Sequence, residues 1–87
     1  MALDDKLESL FADLKQYRDE LRVQMHLARS ELRDEFEELE SQWERLQPRL
    51  EKAAEDAAET GKEALDALEK AGSAILDGFR RIRDDLK

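Results

Sequence analysis

Residues 3–57 read LDDKLESLFADLKQYRDELRVQMHLARSELRDEFEELESQWERLQPRLEKAAEDA, and their apolar side chains recur at alternating steps of three and four. The positions are Leu3, Leu7, Leu10, Leu14, Tyr17, Leu21, Met25, Ala28, Leu32, Phe36, Leu39, Trp43, Leu46, Leu50, Ala53 and Ala57. An α-helix turns about 100° per residue, so this spacing aligns one narrow oily stripe and leaves the other faces charged. A stripe that narrow calls for a partner helix, as in a coiled coil. The expected fold class is therefore all-α.

The composition agrees. Of 87 residues, 40% are hydrophobic but only 6% aromatic, too few bulky side chains for a large globular core; the 44% that are charged suit long helices packed in pairs. The net charge of −8 argues against a sequence-independent grip on DNA or RNA, because phosphate binding requires a basic surface that releases counterions. With no cysteine, neither a disulfide framework nor a thiolate metal site is available. No run of about 18 apolar residues exists to span a bilayer, and the first residues, Met-Ala-Leu-Asp-Asp-Lys, are acidic where a secretory signal is basic. The expectation is a cytoplasmic protein.

Along the stripe, residues 14–36 step in elevens and are expected to run nearly straight, whereas 36–57 return to heptads and should supercoil gently to the left. Pro48 removes one helical hydrogen bond, yet the stripe passes through it in phase from Trp43 and Leu46 to Leu50 and Ala53. It reads as a kink, with a fold-back at Pro48 as the second option. The stronger turn signal is Thr60-Gly61, where Gly61 can take the left-handed conformation and Thr60 with Glu63 fits a capping box. Helix 1 is thus expected over about residues 3–59, kinked near Pro48, and helix 2 over about 62–86, the whole chain forming one helical coiled-coil domain, 1–87.

Folding back at Thr60-Gly61 yields an antiparallel helical hairpin packed through Phe36, Leu39, Trp43, Leu46 and Leu50 on one side and Leu65, Leu68, Ile75, Phe79 and Ile82 on the other. It sets Phe79 near Trp43 and Ile75 near Leu46, and brings Arg81, Arg83 and Lys70 towards Glu40, Glu38 and Glu51. Residues 3–34 then lack a partner within the chain. Their stripe, Leu3, Leu7, Leu10, Leu14, Tyr17, Leu21, Met25 and Leu32, is expected to drive homodimerisation. Helix 2 has a wider apolar face, and Gly72 and Gly78 weaken it by about 1 kcal/mol each relative to Ala. On that reading it is the first element to release.

Residues that could carry chemistry are sparse. His26, the single histidine, has no second histidine or cysteine to complete a zinc or di-iron site, and reads as a solvated bystander. The carboxylates from Asp34 to Glu44 spread around a helix, whereas calcium requires oxygens converging from a tight loop. The patch Phe79-Arg80-Arg81-Ile82-Arg83 complements a helix C-terminus, and the six positive and six negative charges from Lys62 to Lys87 cancel. With no phosphate loop and no nucleophile beside a base, the expectation is a non-enzyme with no cofactor and no metal.

The segment Thr60-Gly61-Lys62-Glu63-Ala64-Leu65-Asp66-Ala67-Leu68-Glu69-Lys70-Ala71-Gly72 resembles the second half of small bacterial coiled-coil stress-response proteins, and Glu35-Phe36-Glu37-Glu38 is similar to a Glu-Tyr-Glu-Glu segment upstream in that family. The resemblance implies a stress-linked helical protein of undefined molecular activity. Together these readings lead to a non-enzymatic coiled-coil interaction or scaffold protein that self-associates through its N-terminal stripe and serves some further protein partner. The alternative is reversible binding of lipid or hydrophobic granule surfaces through the C-terminal helix.

Overall fold

The computed structural model describes residues 5–56, 59 and 61–86. Three α-helices follow one another: α1 (Asp5–Gln24), α2 (Ser30–Glu55) and α3 (Lys62–Asp85), with a 3-10 turn at Met25–Leu27 between the first two. All three pack together, and the molecule measures 44 × 19 × 17 Å. One straight helix over residues 5–55 would be about 75 Å long at 1.5 Å per residue.

The continuous helix expected over residues 3–59 is therefore two helices, and the break falls inside the stretch expected to be straight. Ala28 (φ −82°, ψ 155°) and Arg29 (φ −65°, ψ 155°) are extended, and the Ala28 amide donates to the Met25 carbonyl to close the 3-10 turn. The physical reason lies in burial. Leu7, Leu14, Leu21 and Met25 are all buried, at about 1.5 to 3 kcal/mol each, and that gain outweighs the few helical hydrogen bonds lost at the turn.

Paired contacts give the direction of each helix. Lys6 meets Glu69, Leu10 lies against Gly72 and Tyr17 meets Arg83, so α1 and α3 rise together. Leu39 lies against Gly78, while Ala53 and Leu68 line one groove, so α2 runs the other way. The two-helix arrangement expected from the sequence is thus replaced by an up-down-up bundle, with α3 touching both other helices.

Helix α2 passes through Pro48 and continues to Glu55, so the chain does not fold back there. The proline leaves the Glu44 carbonyl without its usual donor four residues on. Helix α2 ends at Glu55 and α3 begins at Lys62, running the opposite way. Gly61 is the N-cap of α3 at φ −72°, an extended conformation open to any residue and not the left-handed one. Leu3, Ala57 and Thr60 lie outside the described residues, as does the Thr60 half of the expected capping box. Among the described residues, no helix is long and apolar enough to cross a membrane.

Candidate interaction interface

The stripe expected to recruit a second molecule lies inside the bundle. Leu14 is 0% exposed, Leu7, Leu21, Met25 and Leu32 are also buried, and Leu10 and Tyr17 pack against them half-buried. The premise of an unpaired N-terminal stripe is corrected accordingly: α3 of the same chain covers it. Of the residues expected to pack a hairpin, Phe36, Trp43, Leu46, Leu50, Leu68, Ile75, Phe79 and Ile82 are buried in the core of the bundle, while Leu39 and Leu65 sit at its margin.

The aromatic pairs differ from the expected register. Trp43 packs edge-on against Phe11 of α1, with centroids 4.9 Å apart and planes at 85°. Phe79 instead lies beside Phe36, at 5.8 Å. Inserting α1 explains the exchange, because Trp43 now has a third helix to face. Leu46 and Ile75 do line one groove, as anticipated.

Both helical glycines of α3 are places of close approach. A Cβ on Gly72 would stand 3.0 Å from Leu10 Cδ2, and one on Gly78 would stand 2.7 Å from both methyls of Leu39. These residues admit a leucine from α1 and another from α2 into the surface of α3, so their cost in helix propensity is offset by packing. That packing stands against the expectation that they make α3 the first helix to release.

Polar contacts gather where α1 meets the end of α3. The Arg83 Nη1 donates to the Tyr17 hydroxyl at 2.7 Å, and the Arg80 and Arg83 guanidinium groups lie 5.8 and 5.1 Å from the Tyr17 ring centroid, within range of cation–π attraction. Between α1 and α2, Arg18 Nη1 approaches Glu40 Oε2 at 4.0 Å, and both side chains are about one-fifth exposed. Arg18 Nε is 3.1 Å from Asp19 Oδ1 but not aligned to donate to it. The pairings foreseen for Arg81 with Glu40 and Arg83 with Glu38 give way to these: Arg81 shares a groove with Asp34, Glu35 and Glu38. Near the start of α1, Lys6 pairs with Glu69 at 2.8 Å.

His26 is exposed on the 3-10 turn. Among the described residues, no three histidine, aspartate or glutamate side chains are grouped to hold a metal ion. The same corner exposes two large apolar side chains, Val23 at 71% and Leu27 at 95%. Neither lies on the stripe. The sequence matches no protein-family model, and neither the curated proteins nor the solved structures contain a match to it.

The Tyr17, Arg18 and Glu40 contacts were missed by sequence reasoning because they depend on α1 lying against both other helices. A signal for that arrangement exists in the stripe itself. Counting outward from the Ala28–Arg29 bond, the buried residues Met25 and Leu32, Leu21 and Phe36, Leu14 and Trp43, and Leu7 and Leu50 fall at equal distances on its two sides. A helix pair closed about that bond places matched residues in common layers.

Proposed function

We propose that the protein is a non-enzymatic helical interaction protein whose activity is self-association through its N-terminal helix. The observation that carries the reading is how α1 is attached. Its Leu7, Leu14 and Leu21 are buried against the rest of the chain by packing, and it is joined to α2 by residues 25–29, which contain neither glycine nor proline. The surface that receives α1 is therefore matched to α1 of any other copy. The acidic balance of the chain disfavours polyanions as ligands.

The lipid-surface alternative requires α3 to detach, which would uncover its interfaces with α1 and α2 at once. Release of α1 uncovers less, so the self-association reading is preferred. Sedimentation equilibrium from micromolar to millimolar concentration tests it. A reversible increase in mass from 10.1 kDa towards twice that value is expected; a monomer throughout the range refutes it.

A further inference from the structure

We infer that two copies of this chain dimerise by exchanging α1: residues 25–29 straighten, α1 and α2 become one helix, and each α1 docks on α2 and α3 of the other copy. This inference rests on the self-association reading and specifies its route.

The first ground is the phase of the stripe across the turn. Leu21, Met25, Ala28, Leu32 and Phe36 keep helical spacing through the residues where the helix is broken. A turn maintained by its own sequence carries glycine, proline or a capping side chain. Here Arg29 is the N-cap of α2 and makes no side-chain cap hydrogen bond, and residues 5–47 contain no glycine or proline. The bend is imposed by what α1 packs against, and a second copy offers the same packing.

The second ground is the mirror arrangement of the buried side chains. Two straight helices running antiparallel, related by a two-fold axis through the Ala28–Arg29 bond, place each residue of one opposite its mirror residue in the other. Leu7 then meets Leu50 of the second copy, Leu14 meets Trp43, Leu21 meets Phe36 and Met25 meets Leu32. All eight are buried in the single chain. A neighbouring register is present within it: Arg18 approaches Glu40, one residue from its mirror position, and Trp43 contacts Phe11, which lies on the same face of α1 one turn before Leu14. An isologous two-fold interface requires this self-complementarity, and exchange of an identical element satisfies it without any new contact surface.

The third ground is that every α1–α3 contact can be remade between copies. Leu10 against Gly72, Tyr17 with Arg83 and Lys6 with Glu69 involve only α1 and α3. Straightening also carries the apolar layers through the junction, where Met25 and Leu32 then stack without a reversal between them. The exchange is favoured by concentration and opposed by the entropy of association.

Arg29→Pro is the test. The Arg29 φ of −65° matches proline, and the Ala28 ψ of 155° suits the residue before one, so the closed chain accepts the change. A straight helix does not. The variant is expected to keep the helical circular dichroism of the parent while its dimerisation weakens by more than about a hundredfold. A second measurement does not depend on that variant folding. The chain lacks cysteine, so one batch can be spin-labelled at Ser9→Cys and another at Glu51→Cys, then mixed, unfolded and refolded at millimolar concentration. Exchange brings Ser9 of one copy beside Glu51 of the other, giving a distance below about 30 Å, as for neighbouring helices whose axes lie about 8–10 Å apart. A dimer that survives Arg29→Pro with undiminished affinity, or a dimer in the mixture without that short distance, overturns the exchange and leaves self-association standing. Absence of any dimer in the parent overturns both.

Discussion

Leu14→Ala separates a bundle that buries its own stripe from a long helix that leaves it free. Leu14 is 0% exposed, and its Cδ1 lies 3.4 Å from where a Cβ on Gly72 would stand, so truncation removes three carbons from a filled site between α1 and α3. Leucine-to-alanine changes at such positions cost about 3 to 5 kcal/mol, transfer and cavity terms together. A domain of this size has a total stability of about 4 to 13 kcal/mol. The loss is therefore a large part of what holds the fold. Urea unfolding followed by circular dichroism at low micromolar concentration is the assay. With a slope of about 1.5 kcal/mol per molar urea, a loss of 3 kcal/mol lowers the midpoint by about 2 M. Leu27→Ala is the control: that side chain is 95% exposed, and its removal should change stability by less than about 0.5 kcal/mol. If α1 does not pack on its own chain, Leu14→Ala loses nothing and gains slightly in helix propensity. A midpoint within about 0.3 M of the parent would refute the reasoning.

Three further substitutions probe the contacts around α1. Arg29→Asp gives α2 the side-chain cap it lacks, at an N-cap whose extended backbone already suits one, and should add about 1 kcal/mol, seen as a rise of about 4 to 8 °C in a thermal melt; no rise would mean that α2 does not begin there. Tyr17→Phe keeps the ring under Arg80 and Arg83 but removes the acceptor of the Arg83 bond, costing about 0.5 to 1.5 kcal/mol in denaturant unfolding; an unchanged midpoint would place Arg83 elsewhere. Gly78→Ala puts a methyl 2.7 Å from Leu39 and should destabilise by about 1 kcal/mol after its gain in helix propensity, whereas Gly72→Ala, with a looser 3.0 Å approach to one Leu10 methyl, should change stability by less than about 0.5 kcal/mol. Equal effects at the two sites, read from thermal melts, would contradict the packing of α3.

The helical periodicity was legible because each helix buries a single stripe, and the reversal near residue 60 was legible because Gly61 weakens a helix wherever it stands. The break at Ala28 and Arg29 left no local mark. Its residues are ordinary helix formers in perfect phase, and they bend because Leu7, Leu14 and Leu21 gain more from α3 than the turn loses. That preference is tertiary, and propensity does not record it. Gly72 and Gly78 illustrate the converse: their type was plain, but whether each was a weak point or a docking notch depended on Leu10 and Leu39, which are far away in sequence. Trp43 meets Phe11 instead of the expected Phe79 for the same reason, since Phe11 faces it only when α1 folds back.

A distance within one chain tests the central claim most directly. Spin labels at Ser9→Cys and Glu51→Cys, both exposed positions, can be placed on the same molecule and measured at low micromolar concentration by pulsed electron paramagnetic resonance. If α1 folds back on α2 and α3, the labels lie side by side across a bundle 19 × 17 Å in section, and the distance falls below about 30 Å. An unbroken helix from α1 through α2 would separate them by about 63 Å at 1.5 Å per residue, and that value would contradict the account.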